Sequence, residues 1–132
     1  MSKPPFCIPI YPPVKASITL LVLTLQFVPI EYRAQLLKRI YDSTIPGGAL
    51  IVVEKVLGTS AVIDNALVKL YYDLKQEHGY TQEQIASKRQ ALEGVLVPVT
   101  AKWNEELLHS AGFSHVDTFW RYLNFAGFVA VK

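Results

Sequence analysis

The run SITLLVLTLQF at residues 17–27, followed after a helical interval by IPGGALIVVEK at residues 45–55, decides the fold. In the first segment leucines and β-branched residues follow one another without polar alternation, the pattern of a strand buried on both faces of a parallel sheet. Pro29 closes it. Leu36, Leu37, Ile40 and Tyr41 then recur at helical spacing, with Arg33, Lys38, Arg39 and Asp42 on the opposite side, which predicts an amphipathic helix over about residues 30–43. Pro46-Gly47-Gly48 breaks that helix and forms a tight turn. Ala49 to Val53 reads as a second buried strand, closing at Glu54 and Lys55. Strand, helix, turn and strand make a β-α-β unit, which implies a parallel sheet with a right-handed crossover.

Outward from this unit the chain is helical and then returns to strands. Ile63, Ala66, Leu67, Leu70, Tyr71 and Leu74 step by threes and fours, and Gly79 stops the helix they define. Thr81 and Gln84 carry the T-x-x-Q signature of a capping box, opening a helix that runs to about Glu93. Pro98 separates it from a third, Thr100 to Ala111. The stretches His115–Tyr122 and Phe125–Val131 are rich in β-formers and joined through Leu123 and Asn124, a hairpin spacing. The expected fold is therefore α/β: a partial Rossmann-like sheet with a helical insert and a C-terminal antiparallel hairpin.

The bulk composition narrows the function classes. The chain has 132 residues, 51% hydrophobic and 18% charged, enough for one domain with a real core and too apolar for disorder. Its formal net charge is only +2, and the basic residues are interleaved with acids, unlike a nucleic-acid surface. One cysteine, Cys7, excludes an internal disulfide, and its irregular, proline-flanked setting argues against a nucleophile. The apolar run from Ser17 to Val28 is too short for a membrane span, which needs about 20 residues. Residues 1–15 hold five prolines and no apolar segment of signal-peptide type, so they read as a proline-rich leader ahead of a domain over 16–132 in a cytoplasmic protein.

A more specific likeness lies in the order of short segments. Thr24-Leu25-Gln26-Phe27, Gly47-Gly48-Ala49-Leu50, Glu54-Lys55 and Tyr72-Asp73-Leu74-Lys75 are followed by Gly79-Tyr80, Ile85, Lys88-Arg89, Leu92-Glu93, Ala111-Gly112-Phe113, Trp120 and Asn124-Phe125. Over about Ser17 to Lys132 this series resembles the carboxy-S-adenosyl-L-methionine (carboxy-SAM) synthase family of class I methyltransferase folds, and specifically its C-terminal half. The resemblance implies an enzyme that converts S-adenosylmethionine (SAM) and prephenate to carboxy-SAM for modification of the tRNA wobble uridine. It also implies a homodimer; the mild, interleaved charge and the short apolar run, in turn, argue against direct contact with nucleic acid or membrane. By the same resemblance Arg89 reaches the neighbouring subunit's site and pairs with the extra carboxylate of the ligand there, for which a planar guanidinium fork is suited.

Two departures qualify that reading. No glycine-rich loop for the methionine portion of SAM, and no acid after a second strand for its ribose, precedes Ser17. Where the family has a ligand-contacting asparagine near the end of the fourth strand, this chain has Val22.

The remaining candidates are Gln26, at a strand end facing the cofactor cleft, and Glu54, at the end of a parallel strand where ligands of open sheets bind or, equally, in a charge pair with Lys55 or a neighbour. Tyr72 is placed to line the pocket or a subunit interface, while Tyr71 points elsewhere and continues the core stripe. Trp103 and Trp120 read as packing residues. His78, His109 and His115 lack metal-ligand spacing, and no residue is expected to act as a catalytic nucleophile or metal ligand. Two alternatives to a carboxy-SAM synthase remain: a non-catalytic fragment that dimerises or binds a partner, and a SAM-dependent methyltransferase of another small molecule.

Overall fold

The computed structural model describes residues 14–132, so the proline-rich leader and Cys7 lie almost wholly or wholly outside the described residues. The elements are β1 (Ala16–Val22), a 3-10 turn (Leu25–Phe27), α1 (Ile30–Ser43), β2 (Thr44–Leu57), α2 (Ala61–Glu77), α3 (Gln82–Leu92), the two-residue β3 (Val99–Thr100), α4 (Ala101–Ser110), β4 (His115–Tyr122) and β5 (Phe125–Val131). The sheet order is β1-β2-β5-β4, with β3 pairing the end of β2. β1 and β3 run parallel to β2, whereas β5 is antiparallel to both β2 and β4. The architecture is the mixed α/β one read from the sequence, with the hairpin inserted so that β5, not β4, lies beside β2. Among the described residues no helix is long and apolar enough to cross a membrane.

One face of the sheet is built and the other is not. On the first, Leu50, Val52 and Val56 of β2 stand beside Ala126, Phe128 and Ala130 of β5, all essentially inaccessible, under Leu36, Leu37 and Ile40 of α1, Leu108 of α4, and Phe113. Burying each large aliphatic or aromatic side chain of this set stabilises the fold by roughly 1.5–3 kcal/mol. The opposite face carries Ile18, Leu20 and Val22 of β1, in register with Ala49, Ile51 and Val53 of β2. These three β1 side chains are 65%, 63% and 53% exposed. The expectation that this strand is buried on both faces is thus corrected: β1 is the edge of the sheet and only its Leu21 side packs on the core.

The same strand ends sooner than its apolar run. The ladder stops after Val22; Leu23 takes a left-handed conformation (φ 52°), donating its N–H to the Val53 carbonyl, and residues 25–27 coil into the 3-10 turn. Pro46-Gly47-Gly48 is also corrected, from a turn ahead of the strand to a bulge inside it. Ala16 pairs with Thr44 but Ile18 pairs with Ala49, so β2 carries extra residues between the two pairs. Gly47 sits at φ +80°, and a Cβ on Gly48 would stand 2.8 Å from the Ser17 carbonyl oxygen, which restricts both positions to glycine.

The helix boundaries follow their caps. Ser60, Thr81 and Thr100 each accept an N–H three residues on, and at Thr81 the reciprocal Gln84 bond completes the expected capping box. The apolar stripe of α2, by contrast, finds no core: no residue of that helix is fully buried, and Val62 is 81% exposed. Trp103 and Trp120, read as packing residues, are about half-exposed; Trp120 stacks on Tyr122 at 6.4 Å.

Candidate functional site

At the C-terminal end of β2 the strand's alternation sends Glu54 to the built face and Lys55 to the open one. Glu54 is 1% exposed. Its Oε1 accepts the backbone N–H groups of Thr24 (3.3 Å) and Leu25 (2.8 Å), and its Oε2 accepts that of Gln26 (3.1 Å). This carboxylate is what draws residues 24–26 out of the β1 ladder and into the 3-10 turn. Burial raises its pKa from the ordinary 4.5 to about 7, against the lowering effect of the three N–H donors and of Arg33.

Arg33, read from the sequence as part of the polar side of α1, is instead 2% exposed. It donates from Nε to the Val28 carbonyl (2.7 Å) and from Nη2 to the carbonyls of Gln26 (3.1 Å) and Val97 (2.8 Å). Burial lowers its pKa, with Glu54 acting in the opposite direction. The correction has a simple cause: a guanidinium offers five donors, and three main-chain carbonyls surround it. Gln26 joins both sides of the strand. It is buried in the 3-10 turn, not at a strand end, and its Oε1 accepts the backbone N–H of Lys55 at 2.8 Å. Glu54 therefore makes no pair with Lys55; both Glu54 and Gln26 spend their hydrogen-bonding capacity on backbone.

The open side is different in kind. Lys55, Tyr71, Tyr72 and Lys75 face Lys88 and Arg89 of α3 across a cleft of about 490 Å³. Lys55 Nζ lies 4.9 Å from the Tyr71 ring centroid and 5.7 Å from that of Phe125. Lys75 Nζ also lies 4.9 Å from the Tyr71 ring. The Arg89 guanidinium carbon is 5.5 Å from the Tyr72 centroid, so two of the four expected site residues meet here. Tyr71 and Tyr72 do not diverge into core and surface: their rings are 5.7 Å apart and both line the cleft, with Tyr71 edge-on to Phe125. Burial lowers the Lys55 pKa; Tyr71 opposes this, while Lys75 and Lys88 add to it. Among the described residues, no carboxylate forms an ion pair with any of the four cations; the one ion pair is Lys38–Asp42. Val22 is exposed at the end of β1.

No protein-family model matches the chain. It is 50% identical to the carboxy-S-adenosyl-L-methionine synthase of Methylococcus capsulatus over 117 residues, 89% of this chain and 48% of that protein. Identity is 47% to the synthase of Wolinella succinogenes (89% and 49% covered) and 42% to that of Staphylococcus epidermidis (89% and 51%). The chain thus spans about half the length of the curated relatives it matches. Among solved structures it is similar to human N-acetylserotonin methyltransferase in complex with SAM (TM-score 0.59, 22% identity, 89% of this chain and 30% of that one). It is likewise similar to PigF with SAH (TM-score 0.59, 16% identity, 88% and 30%). The fold is therefore that of class I SAM-dependent methyltransferases, and in sequence the chain is a relative of the carboxy-S-adenosyl-L-methionine synthases along about half of their length.

Proposed function

We propose that this chain is the part of a carboxy-SAM synthase that receives the carboxylate of carboxy-SAM, in an enzyme that forms it from SAM and prephenate for tRNA wobble-uridine modification. The observation that carries the proposal is Arg89, which lines the cleft with its guanidinium over Tyr72 and has no carboxylate partner among the described residues. A guanidinium in that state is ready for a bidentate carboxylate. The cleft residues fit that end of the ligand, whereas Glu54, the acid at the end of a parallel strand, is committed to the backbone N–H groups of residues 24–26. When bound, SAM supplies the sulfonium-activated methyl group. The role of this chain is to orient: Gln26 fixes the main chain of Lys55, the tyrosines form the wall, and Arg89 sets the position of the carboxylate.

Isothermal titration with carboxy-SAM and with SAM, on the chain and on Arg89→Ala, tests this. The expected result is tighter binding of carboxy-SAM, weakened by roughly 10- to 100-fold in the variant while SAM is unaffected, as for loss of a charge-assisted hydrogen-bonded pair. Equal affinity for the two ligands, or indifference to Arg89, overturns the proposal.

A second reading, a dimerising module, is favoured by α2, whose apolar stripe buries no residue, and by the bare face of β1. Sedimentation equilibrium decides it: a monomer at all concentrations removes this reading and the homodimer with it.

A further inference from the structure

Glu54 is enclosed at the end of β2 without an ion-paired cation. Arg33 stands nearby, but its guanidinium donates to the carbonyls of Val28, Gln26 and Val97, and the one ion pair among the described residues is Lys38–Asp42. A carboxylate in that position is costly, and the group has the alternative of taking up a proton. Its two oxygens are not equivalent. Oε1 accepts two N–H groups, from Thr24 and Leu25, whereas Oε2 accepts one, from Gln26, and so keeps room for a proton. A carboxylic acid then needs an acceptor for its O–H. Glu54, Arg33 and Asn104 of α4 line the same small interior gap. Asn104 is 3% exposed, and its Oδ1 finds no hydrogen-bond partner among the described residues. Buried acceptors are rarely left in that state, and the acid supplies what the amide oxygen lacks.

We propose that Asn104 is the positioning residue of a proton switch at Glu54: in acid, Glu54 carries a proton on Oε2 and donates it to Asn104 Oδ1, and when the proton leaves to solvent the carboxylate grips the Gln26 N–H with its full charge. Proton loss gives up one hydrogen bond, to Asn104, and strengthens the three from Thr24, Leu25 and Gln26. The switch lies under Gln26, whose Oε1 holds the main chain of Lys55 and whose carbonyl receives the Val97 N–H (3.1 Å) as well as Arg33. A change at Glu54 therefore reaches both the strand end below the cleft and the segment that follows α3. Few other charges face the group. From α1 it meets Arg33, and from β2 Lys55, whose side chain is on the opposite face. On α4 the neighbouring Glu105 is engaged by Thr118, and residues 24–27 and 97–99 carry no titratable side chain. Burial, the largest influence on Glu54, raises its pKa to about 7, so the switch turns near neutral pH. It depends on neither Arg89 nor a ligand of the cleft.

An NMR titration of the isotope-labelled chain from about pH 5 to about pH 9 tests this. The expected result is one step near pH 7 at the Glu54 carboxyl carbon, shared by the backbone amides of Gln26 and Lys55 and by the side-chain amide of Asn104. In Asn104→Leu the midpoint moves down by about one pH unit, because the protonated form has lost its acceptor. In Glu54→Gln, a fixed mimic of the protonated acid, the pH dependence of all three amides disappears. An Asn104 that merely packs would leave the midpoint where it is. A midpoint that stays or rises in Asn104→Leu overturns the proposal, since a rise means that the amide donates to the carboxylate. A step at Gln26 that survives in Glu54→Gln overturns it as well, as does a Glu54 carboxyl with no step in the range. If Asn104→Leu does not fold, the unaltered chain decides: an Asn104 side-chain amide that does not follow the Glu54 step removes the switch.

Discussion

Glu54 and Lys55 are neighbours in one strand and opposites in every physical respect. Glu54 is enclosed, accepts three backbone N–H groups and lies near a buried arginine. Lys55 is half-open, has Tyr71 and Phe125 beside its ammonium, and shares its cleft with three further cations. A charge whose partners are all internal builds structure. A charge left without a partner at a concave surface is available to a ligand. The strand's alternation makes this division possible, since one step along β2 moves from the built face to the open one.

The comparison breaks most visibly at Glu54. Glu54→Ala removes the acceptor of three N–H groups and leaves Arg33 buried without a nearby negative group. We expect a loss of about 4 kcal/mol in urea unfolding, whereas Lys55→Met changes stability by less than about 1 kcal/mol or raises it. Equal losses at the two positions would erase the distinction.

Next in size is the pH dependence. The folded-state pKa of Glu54 is raised to about 7, above its ordinary 4.5, so between these values the folded chain keeps a proton that the unfolded chain has released. Its contribution is fully present below about pH 4.5, declines as pH rises towards 7 and is gone above it, a change of about 3 kcal/mol in all. The difference in urea midpoint between the chain and Glu54→Gln, followed across that window, isolates this effect. A difference that does not vary with pH removes the raised pKa.

The smallest effect falls on the open side. Thr81→Ala deletes the capping box under the helix that bears Arg89, at a cost of about 1 kcal/mol. Hydrogen exchange in the first turn of α3 should quicken while the amides of residues 24–26 keep their protection. Faster exchange in both places would mean that the two regions are one cooperative unit.

How much of this was legible depended on where the cause lay. The β2 strand, the hairpin and the capped helices were readable because their signals are local: an unbroken apolar run, a short connection, a threonine three residues before a glutamine. The end of β1 was not, because Leu23 to Phe27 continue the apolar run and the group that pulls them out of the sheet is a carboxylate thirty residues away in the chain. Arg33 was misplaced for a related reason. Its partners are main-chain carbonyls, which no side-chain pattern announces. The resemblance marked Arg89, and strand-end or helix position marked Gln26, Glu54 and Tyr72, but only the packing of α2 against α3 brings Arg89 to Tyr72 and separates both from the buried pair. Lys55 and Lys75 passed as ordinary solvated lysines, since their convergence on one ring is tertiary.

The insertion of β5 between β2 and β4 has a consequence for folding. Ala49 pairs with Val131 and Val53 with Gly127, so the built face of β2 has its interior neighbour only when the last segment of the chain is available. Before Phe125–Val131 is available, Leu50 and Val52 have no strand beside them on that side, and the loop to be closed runs from β2 across three helices to β5. Formation of this sheet is thus expected to be slow, with an exposed apolar strand waiting for its partner.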